Sequence, residues 1–480
     1  MPQWIALYLP NLPLEALTRA LATPEPQGVA EHHRIVACDG KAQARGVRPG
    51  LSTAAASALA RELVIHPRNP AEETECLLGL AGWAAQYTPS VALELPPMEN
   101  AALALEVSGS LKLFRGLERI AGSLRAGCAR MGFTARIAAA PTARGAGWLA
   151  HTGSERLVAD PAALESALAG LPVRVMTGDA ATLEALAAIG ATRVGDVAAL
   201  PRAGLARRFG RQLLDDLDRA LGRAPDPRTF FTPPAEFRAR LELPAEVTQA
   251  EALLFAARRL FVQLEGFLAA RAGGVQRLAL RLVHREARFT EVPIGLVAPA
   301  RDAAHFTLLA RERLEGLALP AAVRAIALTA GDVVPLAGEA LALFDDGAAA
   351  PGDWRKLVER LRARLGGAAV HSLAVAAEHR PERASRDSAA DAGAAVADPP
   401  GLRPFWLLPA PQPLEEIDAA PHRGGPLRLL AGPERIESGW WDGGDVARDY
   451  FVAETADRAL VWVYRERRAP GGWFLHGLFA

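Results

Sequence analysis

Apolar positions along the chain follow two periods, and the switches between them mark out its elements. Residues 4–9 are a short apolar run closed by Pro10, the pattern of a strand, and residues 34–38 (Arg-Ile-Val-Ala-Cys) are a second. Helical spacing follows in 53–63 and, longer, in 71–86. Strand-like runs return at 91–95 and 103–107; a helix at 117–131, a strand at 135–139 and a helix at 142–152 complete an α+β segment ending near residue 165. Residues 166–235 read as helical, with a helix over 183–189, a tight turn at Gly190 and a second helix opening at Asp196. The pattern alternates again over 236–375, with strands at 238–243, 276–284, 289–293 and 323–329 and helices at 249–266, 303–317 and 354–365.

From 376 to 402 periodicity is lost into Ala, Pro, Asp, Arg and Ser, the composition of a flexible linker. Five of the nine tryptophans (Trp406, Trp440, Trp441, Trp462, Trp473) fall in 403–480. That density predicts a core of its own and a separate small β domain. Strands at 450–454, 459–466 and 472–479 read as its meander, with Pro470-Gly471-Gly472 as the last turn.

The chain has 480 residues, half of them apolar, with 54 Lys+Arg against 54 Asp+Glu. This supplies several cores and excludes a chain disordered throughout. Zero net charge excludes a uniformly basic nucleic-acid coat but leaves room for a local basic face. Cys38, Cys76 and Cys128 are three and far apart. They make neither a disulfide framework nor a zinc site and match a reducing cytosol. No basic lead-in precedes Trp4, and Pro10 and Pro13 interrupt the first apolar run, so no secretory signal is expected. No apolar stretch nears the roughly 18 residues of a membrane span, so a cytoplasmic protein without membrane contact is expected.

Two places suit a phosphate backbone. The turn at 189–191 joins two short helices, an arrangement whose backbone N–H groups can hold a DNA phosphate without reading sequence; Gly190, Arg193 and Gly195 are its candidates. An arginine run follows Leu200-Pro201: Arg202, Arg207, Arg208, Arg211, Arg219 and Arg223. Asp215, Asp216 and Asp218 leave open a solvated face of Arg–Asp pairs instead. In 236–290, Arg238 and Arg240 alternate on one strand and Arg277 and Arg281 stand at even spacing on another, which puts each pair on one sheet face. Such a face suits a nucleic-acid groove, or is simply solvated. His371, His379 and His422 have no ligand spacing, so no metal site is assigned.

With these residues in view the chain resembles the Y-family (translesion) DNA polymerases, and more closely their ImuB branch of bacterial mutasome proteins. Arg45-Gly46-Val47-Arg48-Pro49-Gly50-Leu51 is similar to the fingers stretch "GVR-x-G-M". Residues 138–150, with Pro141, Arg144 and Trp148, occupy the palm segment "GIA-x-N-K-x-x-A-K-x-A". Residues 189–201 fit the thumb hairpin, and 427–480, with Trp440-Trp441-Asp442-Gly443-Gly444-Asp445, is similar to the branch's C-terminal domain. The resemblance implies an α+β multidomain architecture. Palm and fingers would span 1–165, a helical thumb with a helix-hairpin-helix 166–235, an α/β little finger 236–375, the linker 376–402, and a β-rich C-terminal domain 403–480.

The departures bear on chemistry. Nucleotidyl transfer needs two Mg²⁺ held by clustered carboxylates. Where the family's first strand has "D-x-D", this chain has Leu7 and Leu9; where it has "D-E" before the next strand, this chain has Ala101 and Ala102. The triphosphate-binding "Y-E-A-R" falls on Gly40-Lys41-Ala42-Gln43, in which Lys41 can still meet a phosphate. The resemblance therefore implies a non-catalytic adapter without cofactor or metal. It would bind damaged or primed DNA in SOS-type mutagenic repair and direct an error-prone replicative-type polymerase there, beside a RecA-like mutasome partner. A sliding clamp is a further expected partner: Leu341, Leu343 and Phe344 fit the anchors of a "Q-L-x-L-F" peptide, with Ala340 in place of Gln. Trp440 and Trp441 are candidate docking residues, or a core corner. The alternative is an active translesion polymerase with a metal site shifted to Glu94, Glu99 or Glu106; a third reading is a protein–protein scaffold without DNA contact.

Overall fold

The structure is a computed structural model that describes residues 2–20, 23–93, 101–285, 288–336, 351–388 and 402–479. The chain forms two compact units, residues 1–364 and 365–480.

The first unit opens with β1 (Trp4–Tyr8) and α1 (Leu12–Thr18), whose Pro13 sits in the first turn, where a missing N–H breaks no helical bond. Next come β2 (Gln27–Glu31), β3 (Arg34–Cys38), α2 (Gly40–Ala44), α3 (Thr53–Leu59) and β4 (Val64–Pro67). These strands form a small sheet, β3-β2-β4, beside a core of Ile35, Cys38, Ala42, Val47, Ala56 and Ala60. Asp39 and Ser52 cap the two short helices by accepting the Ala42 (2.8 Å) and Ala55 (3.2 Å) N–H groups.

Then α4 (Pro70–Ala84), β5 (Val91–Ala92), β6 (Ala102–Glu106), α5 (Leu117–Arg130), β7 (Arg136–Ala140) and α6 (Ala143–Thr152) complete a central sheet ordered β5-β6-β1-β7. The strand β1 runs antiparallel to both neighbours and is covered on both faces. Ile5, Leu7 and Leu9 share a core with Leu103, Leu105 and Ile137, while Ala6 packs with Ala102, Ala104, Ala138 and the buried Trp148 of α6. Double burial is why the strand reads as an unbroken apolar run. Five short helices follow: α7 (Pro161–Ala169), α8 (Ala180–Ala188), α9 (Val194–Ala199), α10 (Arg202–Phe209) and α11 (Arg211–Ala220).

A third sheet is built from β8 (Arg238–Val247), β9 (Gly273–Val283), β10 (Phe289–Ala300) and β11 (Val323–Ala330) in the order β10-β9-β11-β8, with the short β12 (Val334–Pro335) on β9. Between its strands run α12 (Ala250–Ala269) and α13 (Ala303–Glu315), and α14 (Pro351–Leu365) follows. The apolar side of α12, with Leu253, Leu260, Phe261 and Leu264, is fully buried.

The joint between this third sheet and the central sheet is a tryptophan in a glycine slot. Trp83, near the end of α4, is 3% exposed. A Cβ at Gly127 of α5 would overlap its Cζ2, and a Cβ at Gly266 of α12 would overlap its Cδ1. Gly79 of α4 makes the same room for the Gln263 amide of α12. Three helices thus meet around one indole at a spacing that only hydrogen side chains allow.

The second unit contains β13 (Ser372–Val375) paired with β14 (Ser385–Ser388), then β15 (Trp406–Ile417), β16 (Ala420–His422), β17 (Arg428–Ser438), β18 (Val446–Glu454), β19 (Leu460–Glu466) and β20 (Gly472–Leu478). The last six form one antiparallel sheet ordered β16-β15-β20-β19-β18-β17. Val461, Val463, Trp473 and Leu475 pack together, and so do Tyr450, Trp462 and Tyr464. Tyr450 stacks on Trp462 with centroids 4.1 Å apart, and its hydroxyl meets Nδ1 of the buried His476 at 2.8 Å.

Two sequence expectations are corrected here. The stretch read as linker from 376 is folded through residue 388: β14 lies in it, and Arg380, 2% exposed, is bound to Glu378 (2.6 Å), Asp442 (2.7 Å) and the Gly444 carbonyl (2.9 Å). Long-range ion pairs order it, and these leave no periodicity to read. Residues 389–401 lie outside the described residues. Nor do the tryptophans all serve a core. Trp462 and Trp473 are buried, but Trp406, Trp440 and Trp441 are 69%, 78% and 58% exposed.

Trp83→Ala is expected to destabilise the first unit by about 3–5 kcal/mol, and Gly266→Val by about 1–3 kcal/mol through overpacking. Gly82→Ala, whose added carbon would only touch Phe267 at 4.0 Å, should leave it unchanged. Urea unfolding of the three variants checks this. The second unit should also lose stability in acid. Burial above all holds the His476 imidazole down at about 4, against about 6.5 in an unfolded chain. The neutral ring is thus favoured in the fold; its contribution is complete above about pH 6.5 and is lost as pH falls toward 4. Tryptophan-fluorescence melts should shift down in that window, and less so in His476→Leu.

Candidate nucleic-acid interface

The four positions where the resemblance leads one to expect carboxylates are neighbours along the β1–β6 ladder, with Leu7 and Leu9 in the core on one face of the sheet and Ala102 in the core on the other. Leu7 pairs with Leu103 across the β1–β6 ladder, Tyr8 pairs with Ala102, and the Leu9 N–H donates to the Ala101 carbonyl at 2.8 Å. Leu7, Leu9 and Ala102 are completely buried. These four side chains offer no oxygen to a cation, so the Mg²⁺ pair of nucleotidyl transfer does not fit them. Glu106 stands opposite Trp4, at the other end of the ladder. Its carboxylate accepts from the Gln3 N–H (3.4 Å), the Ser108 N–H (3.1 Å) and the Ser108 hydroxyl. Glu15 on α1 accepts the Thr134 N–H at 2.9 Å, and burial pushes its carboxyl up. Glu94 and Glu99 lie outside the described residues, and among the described residues no three His, Cys, Asp or Glu side chains converge on a metal position. The Lys41 ammonium, expected as a phosphate contact, instead donates to the Thr23 (2.5 Å) and Pro24 (3.2 Å) carbonyls.

The hairpin forms as the sequence predicts, with α8 and α9 joined through Gly190 at φ +78°. Its donors, however, are largely engaged inside. The Gly190 and Ala191 N–H groups bond the Ala187 and Leu186 carbonyls, and the Thr192 (3.0 Å) and Arg193 (2.8 Å) N–H groups donate to the Asp196 carboxylate. Those hydrogen bonds hold Asp196 below the usual carboxylate range. Gly195 has a packing role: a Cβ there would stand 3.1 Å from the Ala169 Cβ and carbonyl of α7. What the hairpin offers outward is the bare Gly190, with no atom within 4 Å of a Cβ position, and the exposed Arg193.

The arginine run splits. Arg202 is bound to Asp218 (2.9 Å), Arg219 to Asp216 (3.3 Å) and Arg223 to Glu165 (3.1 Å). Arg207, Arg208 and Arg211 are exposed, with no carboxylate partner among the described residues. A buried network has no signal in the sequence. Arg144 of α6, 5% exposed, reaches Asp216 of α11 at 3.0 Å and Asp226 at 3.7 Å. Burial pushes its guanidinium down, and the two aspartates oppose that shift. It ties the central sheet to the helical segment.

On the third sheet Arg238, Arg240, Arg277 and Arg281 all lie on the face away from α12, as their alternation implies. The register adds what spacing alone does not show. Ala327 of the central β11 stands between Arg240 and Arg281, and Thr329 stands between Arg238 and Ala279. Small residues therefore floor a trough about 10 Å wide, two strand spacings, with arginines on both sides. Carboxylates temper it: Arg238 pairs with Glu236 (2.6 Å), Arg240 with Glu242 (2.5 Å) and Arg281 with Glu291 (2.9 Å). Arg277 is exposed and has no carboxylate partner among the described residues. Arg238, Arg240 and Arg281 also line a 630 Å³ cavity bordered by Arg19, Glu72, Gln263 and Phe267.

Leu341, Leu343 and Phe344 lie outside the described residues. In the second unit Trp440 and Trp441 sit edge to face, centroids 5.6 Å apart, on a turn that the buried Arg380 clamps through Asp442 and Gly444. Asp442 is held far below the usual carboxylate range, by its bonds to Arg380 first and the Gly444 N–H second.

The impB/mucB/samB family model matches residues 14–150. Protein ImuB of Caulobacter vibrioides strain NA1000 / CB15N is 32% identical over 463 residues, covering 90% of this chain and 100% of that protein, and Protein ImuB of strain ATCC 19089 matches identically. Among solved structures, a Dbh ternary complex aligns with 70% of this chain and 100% of its own at 14% identity and a TM-score of 0.39. A crystal structure of DinB from Sulfolobus solfataricus gives the same coverage and identity with a TM-score of 0.36. By its identity to Protein ImuB along nine-tenths of its length, the chain belongs to the ImuB family.

Proposed function

We propose that this chain is a non-catalytic adapter of mutagenic repair in the cytoplasm, binding damaged or primed DNA and recruiting an error-prone polymerase and the sliding clamp. Family membership supports a role in DNA damage-induced mutagenesis. The observation that supports a non-catalytic reading is the sealed β1–β6 ladder: Leu7, Leu9 and Ala102, where the resemblance leads one to expect metal ligands, are completely buried. Of the carboxylates that an active polymerase could enlist instead, Glu106 is engaged at the far end of the ladder.

DNA contact falls to the trough of Arg238, Arg240, Arg277 and Arg281, with Gly190, Arg193, Arg207 and Arg208 as backbone contacts on the hairpin and the helix after it. Arg202, bound to Asp218, is a weaker candidate, and Gly195 drops out in favour of its packing role. Leu341, Leu343 and Phe344 would anchor the clamp. Trp440 and Trp441, exposed on a rigid turn, would meet the RecA-like partner or the polymerase. Among the described residues no helix is long and apolar enough to cross a membrane.

Purified protein should bind primed DNA in fluorescence anisotropy and extend no primer with Mg²⁺ or Mn²⁺; extension that co-purifies with the chain would reject the adapter reading. Arg277→Ala with Arg281→Ala should weaken binding on any sequence and flatten the log-affinity against log-salt slope by about 0.9 for each phosphate no longer neutralised. Unchanged affinity would favour a scaffold without DNA contact. Replacing Leu343 and Phe344 by Ala should abolish clamp pull-down and leave DNA affinity intact.

A further inference from the structure

Helix α14 is pinned on one side and bare on another. On the inner side Val358 and Ala363 are buried. Glu359, 4% exposed, accepts the Val297 N–H at 2.6 Å on one oxygen and meets the His305 Nε2 at 2.5 Å on the other. Arg360 reaches Glu312 at 3.2 Å. A buried carboxylate with both oxygens engaged fixes the rotation of the helix about its axis.

That rotation turns Trp354, Leu357, Leu361 and Leu365 outward, and they are 63%, 45%, 38% and 59% exposed. Spaced i, i+3, i+7, i+11, they form one stripe about 16 Å long at 1.5 Å per residue. Beside it Lys356, Arg360 and Arg364, spaced i, i+4, i+8 and all exposed, form a parallel basic row in which Arg360 is paired with Glu312 and Lys356 and Arg364 have no carboxylate partner among the described residues. Scattered apolar residues on a surface need no explanation, but four in register on one helix do.

We propose that this stripe is the docking site of a single amphipathic helix, from a partner protein, whose polar edge is acidic. The stripe is one residue wide and three turns long, which matches one helix laid alongside. A bilayer surface takes a broader apolar face than this. The cationic row selects an acidic neighbour and opposes a second copy of α14, which would bring like charges together. The site uses neither the DNA trough nor the segment assigned to the clamp.

The probe is a fluorescent synthetic peptide of Leu/Glu heptads, with a Leu/Lys heptad peptide as its control, titrated against the full chain in anisotropy. The Leu/Glu peptide should bind and the Leu/Lys peptide should not. Leu357→Ser with Leu361→Ser, both outward and unneeded by the core, should lower affinity at least about tenfold, with circular dichroism and DNA binding unchanged. Lys356→Glu with Arg364→Glu should reverse the preference between peptides. The proposal is overturned if the Leu/Glu peptide does not bind, or binds the double-serine variant equally well. It is also overturned if the double-serine change abolishes self-association in sedimentation, which would make a second copy the occupant. Loss of binding to phosphatidylglycerol vesicles in that variant would overturn it in favour of a membrane surface.

Discussion

The indole of Trp83 holds α4, α5 and α12 at backbone distance, and it does so because Gly127 and Gly266 present nothing but hydrogen to it. The arrangement of the first unit follows from that contact. Since α12 is the spine against which the third sheet packs, fixing it on α4 and α5 also fixes where the arginine trough stands relative to the central sheet. Gln263 over Gly79 repeats the device one turn away, so the joint resists both sliding and rotation. The sheet that would carry DNA is therefore part of one packed body with the central sheet.

Charge on this body is balanced locally. Three of the four trough arginines already hold a glutamate, so DNA would exchange carboxylates for phosphates there rather than fill an empty field. Arg277, unpaired among the described residues, would gain the most from a phosphate. The hairpin follows the same rule: Asp196 satisfies two amides that would otherwise face outward, which leaves the approach of a backbone to Gly190 steric rather than electrostatic.

Much of this is legible in the sequence where a local rule decides the outcome. The apolar first strand, the Gly190 turn and the alternation of Arg238 with Arg240 and of Arg277 with Arg281 each follow from period or backbone preference. What escapes depends on partners distant in the chain. Gly127 and Gly266 look like ordinary helical glycines until Trp83 is placed between them. Arg380 lies in a stretch without pattern, and besides the nearby Glu378 its partners Asp442 and Gly444 stand some sixty residues on. Arg144 fits a family motif, yet its ties to Asp216 and Asp226 depend on how the helical segment folds back. The hairpin motif presents Gly195 as a phosphate contact, and Ala169 gives it another purpose.

The sealed strand β1 also limits how a metal site could arise there by mutation. An aspartate in place of Leu7 would enter a site with no solvent exposure, and an unpaired buried carboxylate costs several kcal/mol. A single acidic ligand would bring no compensating metal pair, because at least one more carboxylate is needed beside it. At Leu7, Leu9 and Ala102, all without solvent exposure, each such step would be destabilising by itself. On the adapter reading proposed above, regaining polymerase chemistry at this strand would take several substitutions at once.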